Sequence, residues 1–169
     1  EALIREVTQQ LPVIIFRPSL IITPFQKSGN RPVSALTLGL FLARKGFLPI
    51  LPGKESNRLD IIDAELASAA IIRIFLKETV DSLTYHVTSA SNSPTLGNLL
   101  SLIENRFGEK LPVRFCGDIE EYTVELKRVT RFRPDLVAIY KRIQTFLPEL
   151  AYPKLFDNTN LLRELGLNS

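Results

Sequence analysis

Apolar runs and amphipathic periods alternate along the first two thirds of the chain. Residues 13–16 form a continuous apolar run rich in β-branched side chains, which predicts a strand covered on both faces, as in a parallel sheet. Similar short runs at 59–62 and 83–87 predict two more strands. Apolar residues at helical spacing predict helices between and after these strands, at 33–45, from 63 to 77, and from about 94 to 107. Strands that alternate with helices indicate an α/β fold.

Several residues at the ends of these elements favour the start or stop of a helix. Asp63 can cap the helix that follows it, and the hydroxyl of Ser93, with Pro94 in the first turn, favours another helix start. Gly108 favours the end of that helix. Residues 49–53 contain two prolines and a glycine, which indicates a turn.

The pattern changes after residue 110. One short strand at most is predicted there, at 113–116. Helices are predicted over most of the remaining chain, at 118–130, at 135–147 and after Asn158. The C-terminal third therefore indicates a helical lobe attached to an α/β body.

Composition is typical of a globular protein, with 45% hydrophobic and 23% charged residues. Arg17 and Arg73 interrupt the longest apolar stretches, so no run of about 18 apolar residues predicts a membrane span. No secretory leader is visible, and the single cysteine, Cys116, fits a reducing compartment. We therefore expect a cytoplasmic protein. Met is absent even at position 1, which indicates a fragment or a processed chain.

The charged and reactive residues exclude several function classes. The net charge of +3 is small and spread out, and the basic stretch at 127–133 is typical of a solvated helix end, so we expect no nucleic-acid partner. No Gly-rich nucleotide turn, P-loop or metal-ligand cluster occurs, and we expect no metal site. Ser/His/Asp catalysis stays open, although no G-x-S-x-G motif supports it. We interpret Cys116 and His86 as structural residues.

Four segments carry a resemblance to one family. They read LPVIIFRPSLI at 11–21, LPILPG followed by LDIID between 48 and 63, YHVTS followed by NSP and a glycine between 85 and 97, and FDNTN at 156–160. In this order they resemble segments of the extended short-chain dehydrogenase/reductases. The resemblance is closest to the branch of fatty acyl-CoA reductases, thioester reductases and male-sterility proteins, which reads Y-H-x-T-S-G in the third segment.

The resemblance implies the C-terminal part of a Rossmann-type α/β fold. Residues 1–109 would hold the C-terminal strands and helices, with a substrate loop at 23–60, and residues 110–169 would form a mostly helical substrate-binding lobe. In the family, the Gly-rich turn and a catalytic Tyr-x-x-x-Lys lie upstream of the helix to which residues 1–3 would belong. The Tyr donates a proton to the carbonyl oxygen, and the Lys lowers the pKa of the Tyr and holds the ribose. No tyrosine of this chain is followed by Lys at that spacing, so we expect no catalytic residue here.

The resemblance also implies binding residues. The candidates for binding the cofactor, NADPH or NADH, stand where the family's strand passes the nicotinamide, and they are Pro18, Ser19 and Leu20. The candidates for lining an acyl channel follow directly, and they are Thr23, Pro24 and Phe25. A plain strand end and loop packing are the alternatives. Family members carry Glu-Pro or similar and a Trp in this region, whereas this chain has no Trp, which leaves the substrate open.

The implied function is the reduction of an acyl thioester to an aldehyde or alcohol by NADPH or NADH. The expected partners are acyl-CoA or an acyl carrier protein, together with the missing N-terminal half, without which the chain would be inactive. One alternative is an NAD-dependent sugar epimerase or dehydratase of the same superfamily, although that branch prefers Asn-x-Tyr-Gly where residues 19–22 stand. Another is a non-catalytic acyl-carrier-binding domain.

Overall fold

The computed structural model describes residues 2–6, 8, 10–23 and 35–167. The helices of this part of the chain are α1 (Ala2–Glu6), α2 (Ala35–Arg44), α3 (Ala64–Phe75), α4 (Leu96–Phe107), α5 (Ile119–Phe132), α6 (Leu136–Ile143), α7 (Leu147–Ala151) and α8 (Thr159–Leu165). The strands are β1 (Ile15–Pro18), β2 (Leu20–Ile22), β3 (Ile50–Pro52), β4 (Ile61–Asp63), β5 (Thr84–Val87) and β6 (Arg114–Cys116). Up to β6, helices alternate with single strands or with two consecutive strands, and the sequence predicts neither β2 nor β3 as a strand.

The described strands form three pairs, and all three are parallel. β1 pairs with β5, β2 with β4, and β3 with β6. Parallel neighbours need crossover connections, and each connection here contains at least one helix. The predicted α/β class with parallel strands is therefore confirmed.

The chain divides into two compact units, each made of separate segments. Unit 1 takes its residues from Glu1–Pro24, Asp60–Asn92 and Phe156–Ser169, and unit 2 from Phe25–Leu59 and Ser93–Leu155. These units differ from the two predicted parts, residues 1–109 and 110–169. The boundary between those two parts stays a prediction.

Unit 1 has its apolar core between β5 and the helices α3 and α8. The small residues that α3 turns inward let it pack closely on the strand, as its spacing of apolar positions predicts. The buried apolar residues are Ile62, Ala67, Ala70, Ile74, Tyr85, Val87 and Leu161.

Unit 2 has a separate core around β3 and β6, on which α5 and α7 pack. Its buried residues are Ala43, Leu48, Ile50, Leu51, Cys116, Tyr122, Leu136, Tyr140, Ile143 and Leu147. Cys116 lies in this core as a small buried side chain, and burial raises the pKa of its thiol. A reactive thiol requires a lowered pKa, so these surroundings agree with the structural role predicted for Cys116.

Two of the three predicted helix signals are confirmed. The carboxylate of Asp63 accepts hydrogen bonds from the first turn of α3, and Gly108 ends α4 with a φ of 68° in the left-handed region. The prediction for Ser93 is wrong, because α4 is capped by Thr95. The Thr95 hydroxyl accepts from the Asn98 N–H (3.0 Å), and the Asn98 side chain accepts from the Thr95 N–H (3.2 Å).

Two other sequence predictions need correction. The predicted turn at 49–53 contains β3, whose three residues are buried and paired with β6. The helix predicted at 135–147 ends earlier: α6 stops at Ile143, and a second helix, α7, begins at Leu147. Pro148 lies in the first turn of α7, and a proline cannot continue a preceding helix because it lacks an N–H and its ring clashes with the carbonyl four residues earlier.

One edge of unit 1 exposes apolar surface. In the described part of the chain β1 pairs only with β5, so its other edge has no strand partner there. All five residues of α1 are exposed, including Leu3 and Ile4, and Leu11 just before β1 is exposed as well. Among the described residues, no helix is long and apolar enough to cross a membrane.

Candidate functional site

The carboxyl ends of β1 and β5 lie side by side in unit 1. The parallel register places Arg17 opposite His86 and Pro18 opposite Val87. Beyond Pro18, the Ser19 N–H donates to the Val87 carbonyl (3.1 Å), which extends the pairing by one residue. The first and third of the four resemblance segments therefore meet at this end of the strands, the edge at which open α/β sheets bind ligands.

Ser19 marks the point at which the chain changes its pairing partner. Its own N–H bonds to β5, whereas the next N–H, that of Leu20, donates to the Asp60 carbonyl beside β4 (3.3 Å). The Ser19 hydroxyl is buried and has no hydrogen-bond partner among the residues that the structure describes. A buried hydroxyl without a partner is uncommon in a native protein and marks a place where a bonding group is expected.

The side chain of Asp60 connects three of the four resemblance segments. It is buried, with 6% of the residue exposed. One carboxylate oxygen accepts from the Ser89 N–H (3.1 Å), and the other accepts from the Phe156 N–H (3.3 Å). Ser89 is also held by its hydroxyl, which donates to the Ile61 carbonyl (2.6 Å). A buried carboxylate needs such donors, and these fix the loop after β5 against β4.

The fourth segment, residues 156–160, bonds to the end of β5 as well. The Thr88 hydroxyl donates to the Phe156 carbonyl (3.3 Å), and the Asn158 amide donates to the Thr88 carbonyl (3.0 Å). All four resemblance segments therefore converge at one place in unit 1. We call it the carboxyl-end cluster, and its members are Ser19, Asp60, Thr88, Ser89 and Asn158.

His86 uses both of its ring nitrogens for bonds inside unit 1. Nδ1 lies 3.0 Å from the Asp157 carbonyl oxygen, and Nε2 lies 3.3 Å from an Arg17 guanidinium nitrogen. A carbonyl only accepts and a guanidinium only donates, so the neutral ring with its proton on Nδ1 satisfies both bonds. Its ring also packs edge-on against Phe156. This bonding supports the structural interpretation of His86.

The backbone is strained directly after Ser89. Ala90 has a φ of 47°, in the left-handed region that a residue with a Cβ seldom adopts. Ala90 stands where the Y-H-x-T-S-G segment of the resembling family has its glycine, which tolerates this conformation. The turn is held by the Asn92 N–H, which donates to the Ser89 carbonyl (2.9 Å). Such strain persists only where the surrounding bonds impose it, as they do in this cluster.

The predicted binding residues fall into three groups. Ser19 belongs to the carboxyl-end cluster, and Pro18 and Leu20 adjoin it. Thr23 follows β2 and is exposed, with no bond that joins it to the cluster among the described contacts. Pro24 and Phe25 lie outside the described residues. The prediction of these six as binding residues stays a prediction.

The strand predicted at 59–62 includes Asp60, but the sequence predicts no role for this residue. Its carboxylate holds the cluster together. The available signal was an acidic residue inside the apolar run 59–62, since a carboxylate in such a run is rarely buried without partners.

The Ser19 hydroxyl is the buried polar side-chain atom of the cluster that has no partner among the described residues. The carboxylate and backbone groups of the cluster are engaged in the bonds described above, which leaves the Ser19 hydroxyl available. Tyr85, the tyrosine on β5, is buried with its hydroxyl bonded to Glu164 (2.5 Å). Within the described ranges, no group of three or more side chains could hold a metal ion.

Comparisons with known proteins identify the fold. No protein-family model and no curated protein matches the chain. Among solved structures, the terminal R domain from the myxalamid PKS-NRPS biosynthetic pathway matches over 97% of this chain and 40% of its own, with 19% identity and a TM-score of 0.67. The dTDP-glucose 4,6-dehydratase from Bacillus anthracis, solved in complex with NAD, matches over 68% of this chain and 35% of its own, with 25% identity and a TM-score of 0.50.

Both matched structures are much longer than this chain, which spans 40% and 35% of them. The match to the R domain covers nearly the whole chain, including its parallel strands and the helices that connect them. The chain therefore has a Rossmann-type α/β fold of the kind found in extended short-chain dehydrogenase/reductases.

Proposed function

We propose that this chain is the C-terminal, substrate-binding portion of an NAD(P)H-dependent reductase that converts a fatty acyl thioester to an aldehyde or alcohol. The observation that carries the proposal is the convergence of all four resemblance segments at the carboxyl-end cluster. Hydrogen bonds between these segments join residues up to 96 positions apart in sequence, and the fold brings the segments to the edge of a parallel sheet where nucleotides bind in such folds.

The cluster fits a dinucleotide cofactor. The N–H groups of Ser19 and Leu20 are already paired, and the buried Ser19 hydroxyl is the group left to bond a polar part of the cofactor, such as a carboxamide. Pro18 is exposed beside it and would provide an apolar contact. When bound, the cofactor supplies the hydride, and this chain's residues hold it at the end of β1.

The remaining parts of the active site would come from a segment that precedes these 169 residues. By the resemblance, it would carry the Gly-rich turn and the Tyr-x-x-x-Lys pair. One edge of β1 has no strand partner among the described residues, and α1 exposes apolar residues; both observations support a further strand and helix against unit 1. Apolar surface of this kind is usually covered.

The acyl substrate would be carried by coenzyme A or by an acyl carrier protein. We propose Thr23, Pro24 and Phe25 as the first residues that line the acyl channel. Residues 110–169 would form the helical part of the substrate-binding lobe. The R domain supports this branch over the sugar-nucleotide branch, because its fold matches 97% of the chain and that of the dehydratase matches 68%.

A dehydratase or epimerase acting on a sugar nucleotide is the second candidate. It is favoured by the higher identity, 25% against 19%, of the Bacillus anthracis enzyme. The two candidates differ in what they consume. A thioester reductase uses NADPH or NADH stoichiometrically, whereas a dehydratase returns its NAD to the oxidised form in each cycle.

The full-length protein tests the proposal through acyl-CoA-dependent oxidation of NADPH or NADH. We expect turnover with an acyl-CoA and none with a dTDP-sugar, and the opposite result would establish the second candidate. The matched variants are Ser19→Ala and Ser93→Ala, which each remove a buried hydroxyl without a partner among the described residues. Ser19→Ala should weaken nicotinamide cofactor binding by about fivefold, the value of one hydrogen bond, and Ser93→Ala should leave it unchanged.

A further inference from the structure

Asp60 forms two kinds of bond at the point where the chain changes its strand partner. Its backbone carbonyl accepts from the Leu20 N–H (3.3 Å), and its carboxylate accepts from the N–H groups of Ser89 (3.1 Å) and Phe156 (3.3 Å). Only 6% of the residue is exposed. The backbone and the side chain of one buried residue therefore hold three other segments of unit 1 that are far apart in sequence.

These bonds enclose Ser19. The Ser19 N–H donates to the Val87 carbonyl (3.1 Å), and Val87 stands two residues before Ser89, which the Asp60 carboxylate holds. The residue after Ser19 is Leu20, which the Asp60 carbonyl holds. Asp60 thus reaches Ser19 by two routes, through Leu20 and through the loop after β5. The position of the Ser19 backbone therefore depends on both groups of Asp60.

The two serines of this arrangement differ in what their hydroxyls do. The Ser89 hydroxyl donates to the Ile61 carbonyl (2.6 Å), whereas the buried Ser19 hydroxyl has no partner among the described residues. Each carboxylate oxygen of Asp60 already accepts a backbone N–H, and such bonds hold a buried carboxylate in one orientation. Asp60 is therefore a supporting residue, and the group that it supports with a bond still to make is the Ser19 hydroxyl.

We propose that Asp60 is a positioning residue for the nicotinamide cofactor, which fixes the place of the Ser19 hydroxyl without contacting the cofactor itself. The inference rests on the cofactor site proposed above. A binding group has to stay within about 0.5 Å of its productive position, and the residues around it supply that constraint. Without the Asp60 carboxylate, the buried N–H groups of Ser89 and Phe156 lose their acceptor. The loop after β5 then shifts, and the end of β1 that it holds shifts with it.

A double-mutant cycle tests the proposal. Fluorescence titration of the full-length protein gives the dissociation constants of NADPH and NADH. Asp60→Ala should raise the constant of the cofactor that binds by about fivefold, the same factor as Ser19→Ala, because both variants lose the one hydrogen bond that Ser19 makes. The double variant should also stay near fivefold. Two independent effects would multiply to about 25-fold instead.

The matched control is Asp63→Ala. Asp63 also accepts from two backbone N–H groups, those of Glu65 and Leu66, but both lie in the first turn of α3. This variant should lower the stability of unit 1 and leave the affinity for the cofactor unchanged. Thermal unfolding of every variant separates stability from affinity. Where Asp60→Ala does not fold, Asp60→Asn takes its place in the cycle, since it keeps the shape of the side chain and one acceptor oxygen.

The outcomes separate this inference from the proposed function. Wild-type protein that binds neither NADPH nor NADH contradicts the proposed cofactor site, and the inference with it. Cofactor binding that the Asp60 variants leave unchanged overturns the inference alone and makes Asp60 a structural residue like Asp63. An effect of Asp60→Ala that multiplies with that of Ser19→Ala also overturns it, because Asp60 would then act on the cofactor independently of Ser19.

Discussion

The cores of the two units differ in how they accommodate a buried tyrosine. In unit 1, the Tyr85 hydroxyl donates to Glu164 (2.5 Å) and accepts from the Ser82 N–H (3.0 Å). In unit 2, the Tyr122 hydroxyl has no hydrogen-bond partner among the described residues, and its ring packs edge-on against Tyr140 at 6.2 Å between centroids. Burial raises the pKa of both phenols, that of Tyr85 to about 12. The buried tyrosine hydroxyl therefore forms hydrogen bonds in the core of unit 1, whereas in the core of unit 2 it forms none among the described residues.

Glu164 explains the difference, because it supplies unit 1 with a buried acceptor. Its carboxylate accepts from the Lys77 ammonium (2.7 Å), the Tyr85 hydroxyl and the Asp81 N–H (2.9 Å). These bonds tie α8 to β5 and to the segment that follows α3. In the same order they lower the pKa of Glu164 to about 2, so the carboxylate is charged at neutral pH.

The largest expected effect is that of Glu164→Ala. It leaves the Tyr85 hydroxyl and the Asp81 N–H without their acceptor in a buried place, and it opens a gap between α8 and β5. We expect a loss of about 3 to 5 kcal/mol in the free energy of opening of unit 1. Native-state hydrogen exchange at the amides of β5 and α8 measures this free energy.

The control for this prediction is Glu149→Ala in unit 2. Glu149 pairs with Lys154 at the surface (3.1 Å), and such exposed pairs contribute at most about 1 kcal/mol. Equal losses for the two variants would show that burial of Glu164 adds nothing and would remove the contrast between the cores.

The next largest effect is expected from Tyr85→Phe. The variant keeps the ring in the core but takes one donor from Glu164 and the acceptor from the Ser82 N–H. Leaving buried polar groups unpaired costs about 1 to 3 kcal/mol. Hydrogen exchange at β5 gives the value, and a change below about 0.5 kcal/mol would mean that water replaces the lost hydroxyl without cost.

A smaller effect on stability is expected from Glu164→Gln, which keeps the shape of the side chain but removes its charge. This effect should depend on pH. The pKa of Glu164 is lowered in the folded protein, so its contribution to stability is complete above the unfolded pKa of about 4.5 and is lost as the pH falls through about 2. The free energy of unfolding of the wild type should therefore exceed that of the variant most clearly above about pH 5. This difference should disappear as the pH falls toward about 2. Urea titrations followed by circular dichroism at several pH values measure this difference in the free energy of unfolding. A difference that stays constant with pH would exclude the charge as its source.

Local sequence patterns predicted much of the fold but little of this polar bonding. The periodicity of Ala67, Ala70 and Ile74 indicated the buried face of α3, and Asp63 indicated its start, because both signals lie within a few residues. Asp60 instead bonds to residues 29 and 96 positions away, and Glu164 to residues 79 and 87 away. Such partners are selected by the fold, and no spacing in the sequence encodes them.

The shortest elements were missed for a different reason. β3 has three residues and ends in proline, so its composition is that of a turn, and only pairing with β6 makes it a strand. The start of α4 was placed at Ser93 because a hydroxyl followed by proline is a common signal. The hydroxyl of Thr95 forms the cap through a reciprocal bond with Asn98, a residue less usual at that position than Glu or Gln.

The smallest expected effect belongs to Tyr122→Phe. The variant removes a hydroxyl that has no partner among the described residues, and it keeps the ring that packs against Tyr140. Removing a buried unpaired polar atom recovers its desolvation cost, so unit 2 should change by less than about 1 kcal/mol and in the stabilising direction. Hydrogen exchange at the amides of α5 and β6 measures the change. A loss as large as that of Tyr85→Phe would mean that the Tyr122 hydroxyl is bonded in solution, for example to a buried water, and that the two cores follow one rule after all.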